Sequence, residues 1–180
     1  MVRAEPPAIL IGIGNVKPAT VIALSTLAIL LVATPKSHVT PWLIWNASQS
    51  VPIGLYVIMP TPPRRGDLAL ARLPPLAAAF ARRRGYLTAT AYVLKRVAAV
   101  DGDRVCRIGH RIFVQSKHRA TALHRDERRR IMPAWQGCRQ LAGGEVLLLA
   151  DDARSFDSRY FGPVAAEHIV GRAVPLIQMG

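Results

Sequence analysis

Residues 19–33 read ATVIALSTLAILLVA, a run without a charge in a chain that is otherwise 19% charged. In lipid the backbone finds no outside hydrogen-bond partner, so such a run enters a bilayer as a helix. A spanning helix wants roughly 20 apolar residues and no fewer than about 17. That length is reached here only if Pro18 and the Thr34-Pro35 end are counted. Trp42 and Trp45 follow where an aromatic belt at a membrane interface would stand, and no A-x-A cleavage pattern closes the run. The segment reads as an uncleaved anchor, with the core of a cleaved signal peptide as the competing reading. A looser apolar stretch at residues 9–13 precedes it across Lys17.

Arg3 and Lys17 lie before the segment and only Lys36 lies close behind it, which places the bulk of the chain outside the cytoplasm. The expected division is an N-terminal tail and anchor at residues 1–36 and one domain at 37–180, room for a single core. Orientation also sets the fate of Cys106 and Cys138, the only cysteines. Lacking CxxC or zinc-type spacing, they are expected to pair in an oxidising compartment; in the reverse orientation they would be two buried thiols. The net charge of +13 and pI near 11.2 would suit nucleic acid in a soluble protein, but beside an anchor the anionic membrane lipid is an equally good partner. Arg82, Arg83 and Arg84 form one cluster and Arg125, Arg128, Arg129 and Arg130 another. No aromatic residues are interleaved to stack bases, so each reads as a solvated basic face and no nucleic-acid partner is expected.

Beyond the anchor the pattern is that of strands. Residues 51–59 (VPIGLYVIM) form an apolar run with an early proline, and 67–73 (DLALARL) a second after a turn at 60–66. Residues 92–100 (YVLKRVAAV) are the clearest strand, closed by the turn chemistry of Asp101-Gly102-Asp103. Residues 104–115 predict a hairpin turning at Gly109-His110, 144–150 a further strand and 169–177 a last one. Residues 76–84, rich in alanine and arginine and ended by Gly85, predict a short helix. Residues 117–130 are polar, basic and irregular, and 41–50 short, aromatic and polar. The fold class is mostly β, with one or two short helices, behind an N-terminal membrane helix.

One lysine is placed against type. Side chains alternate along a strand, so Lys95 shares a face with Val93, Val97 and Ala99. An ammonium desolvated among such neighbours loses its preference for the charged form and becomes a usable base near neutral pH; on an edge strand the same lysine would reach solvent. Ser48 and Ser50, at the mouth of the first apolar strand, offer hydroxyls that a lysine base could activate or that simply cap a turn. His38, His110, His118, His124 and His168 stand in no G-x-S-x-G context and at no metal-ligand spacing.

Four stretches, in order, carry a resemblance: SQSVPIG at 48–54, RGDLALARLP at 65–74, YVLKRVAAVDGD at 92–103 and SFDSRYFG at 155–162. Together they are similar to the motifs of the bacterial signal peptidase family, and they span nearly all of the chain after the anchor. The resemblance implies an antiparallel β-sheet catalytic domain with Ser50 as nucleophile and Lys95 as its base. It further implies Ser48 as a hydroxyl donor to the oxyanion hole, Ser155 as the serine that aims the lysine, and Asp157 with Arg159 as a supporting ion pair. Val51 in place of the usual methionine, a loose match at 150–154 and the single anchor, with the PIGLY sequence after Ser50, resemble the TraF branch, the maturation peptidases of conjugative transfer systems.

What the resemblance implies is acyl transfer without metal or cofactor, on the outer face of a bacterial inner membrane. The substrate would be a pilin subunit or another membrane-inserted precursor, cleaved by hydrolysis or cyclised through its own amino terminus. A housekeeping-type signal peptidase is the alternative within the family. A non-catalytic, membrane-tethered scaffold or nucleic-acid-binding component is the alternative outside it, and it leaves Lys95 and Ser50 unexplained.

Overall fold

The structure, a computed structural model, describes residues 17–33, 40–87 and 92–179. They fall into two units, one holding helix α1 (Pro18–Ala33) and the other beginning at Thr40. Helix α1 starts on a proline, tolerated there because first-turn amides lack partners in any case. Its 16 residues rise about 24 Å against a hydrocarbon core of about 30 Å. The expected membrane helix is not found: α1 is short of a full span, and among the described residues no helix is long and apolar enough to cross a membrane. Residues 1–16 and 34–39, with Arg3, Lys36, the apolar stretch at 9–13 and the expected boundary at 36/37, lie outside the described residues.

The second unit is built from two antiparallel sheets. Its strands are β1 (Leu43–Asn46), β2 (Gly54–Met59), β3 (Leu68–Arg72), β4 (Tyr92–Ala99), β5 (Arg104–Ile108), β6 (Arg111–Val114), β7 (Lys117–Thr121), β8 (Gly137–Gln140), β9 (Leu147–Leu149) and β10 (Ile169–Gln178). Six of them form a sheet in the order β1-β2-β10-β3-β4-β9, and four form another in the order β7-β6-β5-β8. Helix α2 (Pro75–Arg84) ends on Gly85 with φ 72°, a left-handed turn that glycine takes without steric cost. Helix α3 (Ser158–Phe161) is a single turn.

The middle of the large sheet is covered on both faces, which is why β3 is buried at four consecutive positions. Leu68 and Leu70 join Val51, Tyr56, Ile58, Leu94 and Ala173 on one side. Ala69 and Ala71 join Val93, Val97, Leu148 and Ala77, Ala78 and Ala81 of α2 on the other, where small side chains let the helix approach. A third cluster, with Ala99, Val105, Ile112, Val114 and Leu147, joins the sheets to one another.

Two expectations are corrected. Residues 117–130 are not irregular throughout: β7 pairs with β6, and Arg125 bridges to Ile131. Residues 41–50 contain β1, paired from Leu43 to Asn46 with β2. The first apolar run begins its strand at Gly54, since Pro52 has no N–H to give a ladder.

Candidate active site

Ser48 and Ser50 lie in the loop between β1 and β2, and one side chain organises that loop. Asn46, the last residue of β1, is 7% exposed. Its Nδ2 donates to the carbonyls of Ser48 at 2.8 Å and of Val51 and Pro52 at 3.0 Å. Its Oδ1 accepts from the Ser48 amide at 3.2 Å and the Ser48 hydroxyl at 2.8 Å. From the other side Tyr56 Oη donates to the Pro52 carbonyl at 2.6 Å. Neither residue was singled out in the sequence; the available signal was a polar residue closing the apolar LIWN strand.

Lys95 sits on β4 between β3 and β9, so it is on no edge, and it is 5% exposed. Its Nζ donates to Ser155 Oγ at 2.7 Å, and Ser155 Oγ lies 3.1 Å from Ser50 Oγ. Three elements far apart in sequence thus present one chain of polar atoms, from the β1–β2 loop through the segment after β9 to β4. Burial brings the lysine's pKa from 10.5 down to about 8. The Asp157 carboxylate opposes that fall and the Arg159 guanidinium adds to it.

Asp157 and Arg159 stand behind this chain, 0% and 2% exposed and 2.9 Å apart. Asp157 caps α3 by accepting the Arg159 amide at 3.0 Å and also accepts the Ala150 amide at 2.8 Å. Arg159 in turn donates to the Ala150 carbonyl. Together they fasten α3 to the end of β9, three residues from Ser155 at the nearest. Burial pushes the Asp157 carboxyl upward against the pull of Arg159. Arg65 pairs with Asp103, so the RGD and DGD stretches meet. Cys106 and Cys138, directly opposed on β5 and β8, are joined as a disulfide and lie outside the cleft lining.

A cleft of about 990 Å³ runs over Ser48, Ser50, Lys95 and Ser155. Leu70, Leu94 and Tyr92 line part of it, and charged residues of 125–130 another part. Among the described residues no group of three or more His, Cys, Asp or Glu side chains is placed to hold a metal ion. A nucleophilic hydroxyl wired to a desolvated amine in an open cleft is suited to acyl transfer.

Comparison with known proteins gives a consistent result. Residues 15–177 match the family described as signal peptidase, peptidase S26. The plasmid transfer protein TraF of Escherichia coli is 33% identical over 144 residues, covering 73% of this chain and 80% of that protein. The probable conjugal transfer protein TraF of Sinorhizobium fredii (strain NBRC 101917 / NGR234) is 36% identical over 141 residues, covering 71% and 73% respectively.

Proposed function

The chain belongs to the signal peptidase family of serine peptidases, S26, on its TraF branch, and from that premise we propose that it is a Ser/Lys-dyad endopeptidase that matures a membrane-inserted precursor in conjugative transfer. The carrying observation is the continuous contact from Lys95 Nζ through Ser155 Oγ to Ser50 Oγ. With Lys95 neutral, the Ser50 proton passes by way of the Ser155 hydroxyl to the amine as Ser50 Oγ bonds to the scissile carbonyl carbon. The Ser48 hydroxyl turns from Asn46 to the developing oxyanion, beside the Ser50 amide. Collapse expels the amine, which takes the proton from Lys95 and leaves an ester on Ser50.

Water or the substrate's own amino terminus then attacks that ester. A tethered amine competes well through its high effective concentration, and a cyclised pilin is the product we assign. Mass spectrometry of the precursor, incubated with the protein and with its Ser50→Ala variant, tests this. A product one water lighter than the trimmed chain is expected with the parent alone. A linear product makes the protein a hydrolase, and processing by Ser50→Ala removes Ser50 from the mechanism.

Contact with lipid is part of the same proposal. Leu43, Trp45, Leu55, Val57, Met59, Val174 and Ile177 share the outer face of β1, β2 and β10 with one cation, Arg172 opposite Met59, as their cross-strand pairing requires. Trp45, Met59 and Ile177 are exposed. Such a largely apolar sheet face, with a tryptophan on its edge strand and an arginine among its apolar residues, suits the bilayer interface. In α1 the Ser25 and Thr26 hydroxyls both donate to the Ile22 carbonyl, so neither polar group would enter lipid unsatisfied. A disulfide-bonded domain belongs on the outer, oxidising side of the inner membrane. Trypsin added to spheroplasts should therefore digest the domain from Thr40 onward, and protection would place it inside.

A further inference from the structure

The cleft that holds Ser50 and Lys95 is also lined by Arg84, Arg125, Arg128, Arg130 and Arg154, against three carboxylates, Asp126, Glu127 and Asp152. The carboxylates are already engaged. Asp126 lies 2.6 Å from Arg130 and 3.6 Å from Arg84, with a side chain 9% exposed. It also accepts from Tyr86 Oη and from the Arg128 and Arg130 amides. One carboxylate thus faces two guanidiniums, and among the described residues the buried Arg84 Nη1 completes no hydrogen bond. Asp152 and Glu127 both contact Arg154 at 3.4 Å. Arg125 and Arg128 are exposed and pair with no carboxylate among the described residues.

The segment carrying these cations is held in one shape. Arg125 bridges to Ile131, the Asp126 amide donates to the Arg130 carbonyl at 2.9 Å, and the Arg129 amide donates to the Asp126 carbonyl at 2.8 Å. Guanidiniums carried on a fixed backbone and left without counter-charge at a cleft wall are suited to bind carboxylates bidentately.

We infer that this wall is a subsite for a peptide carboxylate: the substrate carries an acidic side chain, or a free C-terminal carboxylate, close to the bond that Ser50 attacks. The inference rests on the reading of Ser50 as the nucleophile, because that reading is what puts a peptide in the cleft. Lys95 contributes a further positive charge to the same cleft whenever it is protonated.

The test uses full-length Ser50→Ala protein in neutral detergent, so that binding is read without cleavage. Fluorescent peptides spanning a cleavage site are prepared with Glu or isosteric Gln in the residues flanking the bond, each with a free or an amidated C-terminus. The peptide with the recognised carboxylate should bind roughly tenfold more tightly than its neutral counterpart. The ratio should shrink between low and high salt and collapse toward one in Arg125→Gln/Arg128→Gln protein. A preference following Glu identifies a side-chain carboxylate, and one following the free terminus identifies a C-terminal carboxylate. Equal affinity for all four peptides, or no binding of any, overturns the subsite. Failure of wild-type protein to cleave any of the peptides bears instead on the peptidase reading.

Discussion

At the scale of single residues, the proposed chemistry turns on the protonation state of Lys95. Only the neutral amine accepts a proton, so the cleavage rate should climb as pH rises through about 8 and level off above it. Lys95→Arg, charged at every accessible pH, should be as inactive as Lys95→Ala; near-normal cleavage by the arginine variant would reduce Lys95 to a cation. The same shift has a thermodynamic side. Between about 8 and 10.5 the unfolded chain holds a proton that the folded chain has lost, so stability rises with pH across that window and the penalty is complete below it. Lys95→Met should accordingly be more stable than the parent at pH 6 by on the order of 3 kcal/mol, the difference closing toward pH 10.5. Equal urea midpoints at pH 6 would mean the ammonium is well solvated. Asn46 acts on the loop of Ser50 by position. Asn46→Ala leaves the Ser48 and Val51 carbonyls without their donor and the Pro52 carbonyl with Tyr56 alone, and kcat should fall by about 100-fold with KM little changed; unchanged kcat would show that the loop holds itself. The apolar neighbours of Lys95 were legible from strand alternation, but its burial was not, because alternation does not tell an edge strand from one lying between two others. Asn46 was not legible either, because its partners are backbone carbonyls that no side-chain pattern encodes.

At the scale of elements, the arrangement depends on two glycines where strands crowd together. A Cβ on Gly54 would stand 2.1 Å from the Ile177 carbonyl oxygen, and one on Gly171 would stand 2.2 Å from that of Met59. Both positions lie at the β2–β10 contact. Gly54→Ala should cost roughly 1 to 3 kcal/mol by forcing the strands apart. It should also lower activity, since Gly54 follows the loop of Ser50; a variant with unaltered thermal midpoint and rate would show that β10 yields freely. Buried strands were legible: β2, β3, β4 and β9 have apolar residues on one or both faces, and burial imposes that pattern. β7 and β8 were not, because they lie at the outer edges of the small sheet, their residues are mostly exposed, and nothing selects apolar side chains there. The helix at residues 76–84 was legible from its composition and from Gly85. The single turn of α3 depends on the Asp157 cap, a local contact with no periodicity.

At the scale of the whole molecule, the small sheet is tied to the site by covalent and polar links in series. The disulfide fixes β8 to β5, and the next residue, Arg107, 2% exposed, donates to the Arg159 carbonyl in α3. Replacing Cys106 and Cys138 by serine releases a link with a sequence separation of 32 and should cost about 3 to 4 kcal/mol, read as a lower urea midpoint. Dithiothreitol should lower the parent's midpoint similarly, and no response would mean the small sheet holds without the link. The position of β10 has a consequence in time. It is synthesised after every other strand, yet it lies between β2 and β3 in the sheet. Until it emerges, the hairpin bearing Ser50 has no strand pairing with the two strands that include Lys95, and non-local pairings of this kind form late. Translation itself is therefore a lock: the growing polypeptide carries Ser50 and Lys95 on separately paired pieces, and under the proposed mechanism the cleft stays unassembled until β10 has been made.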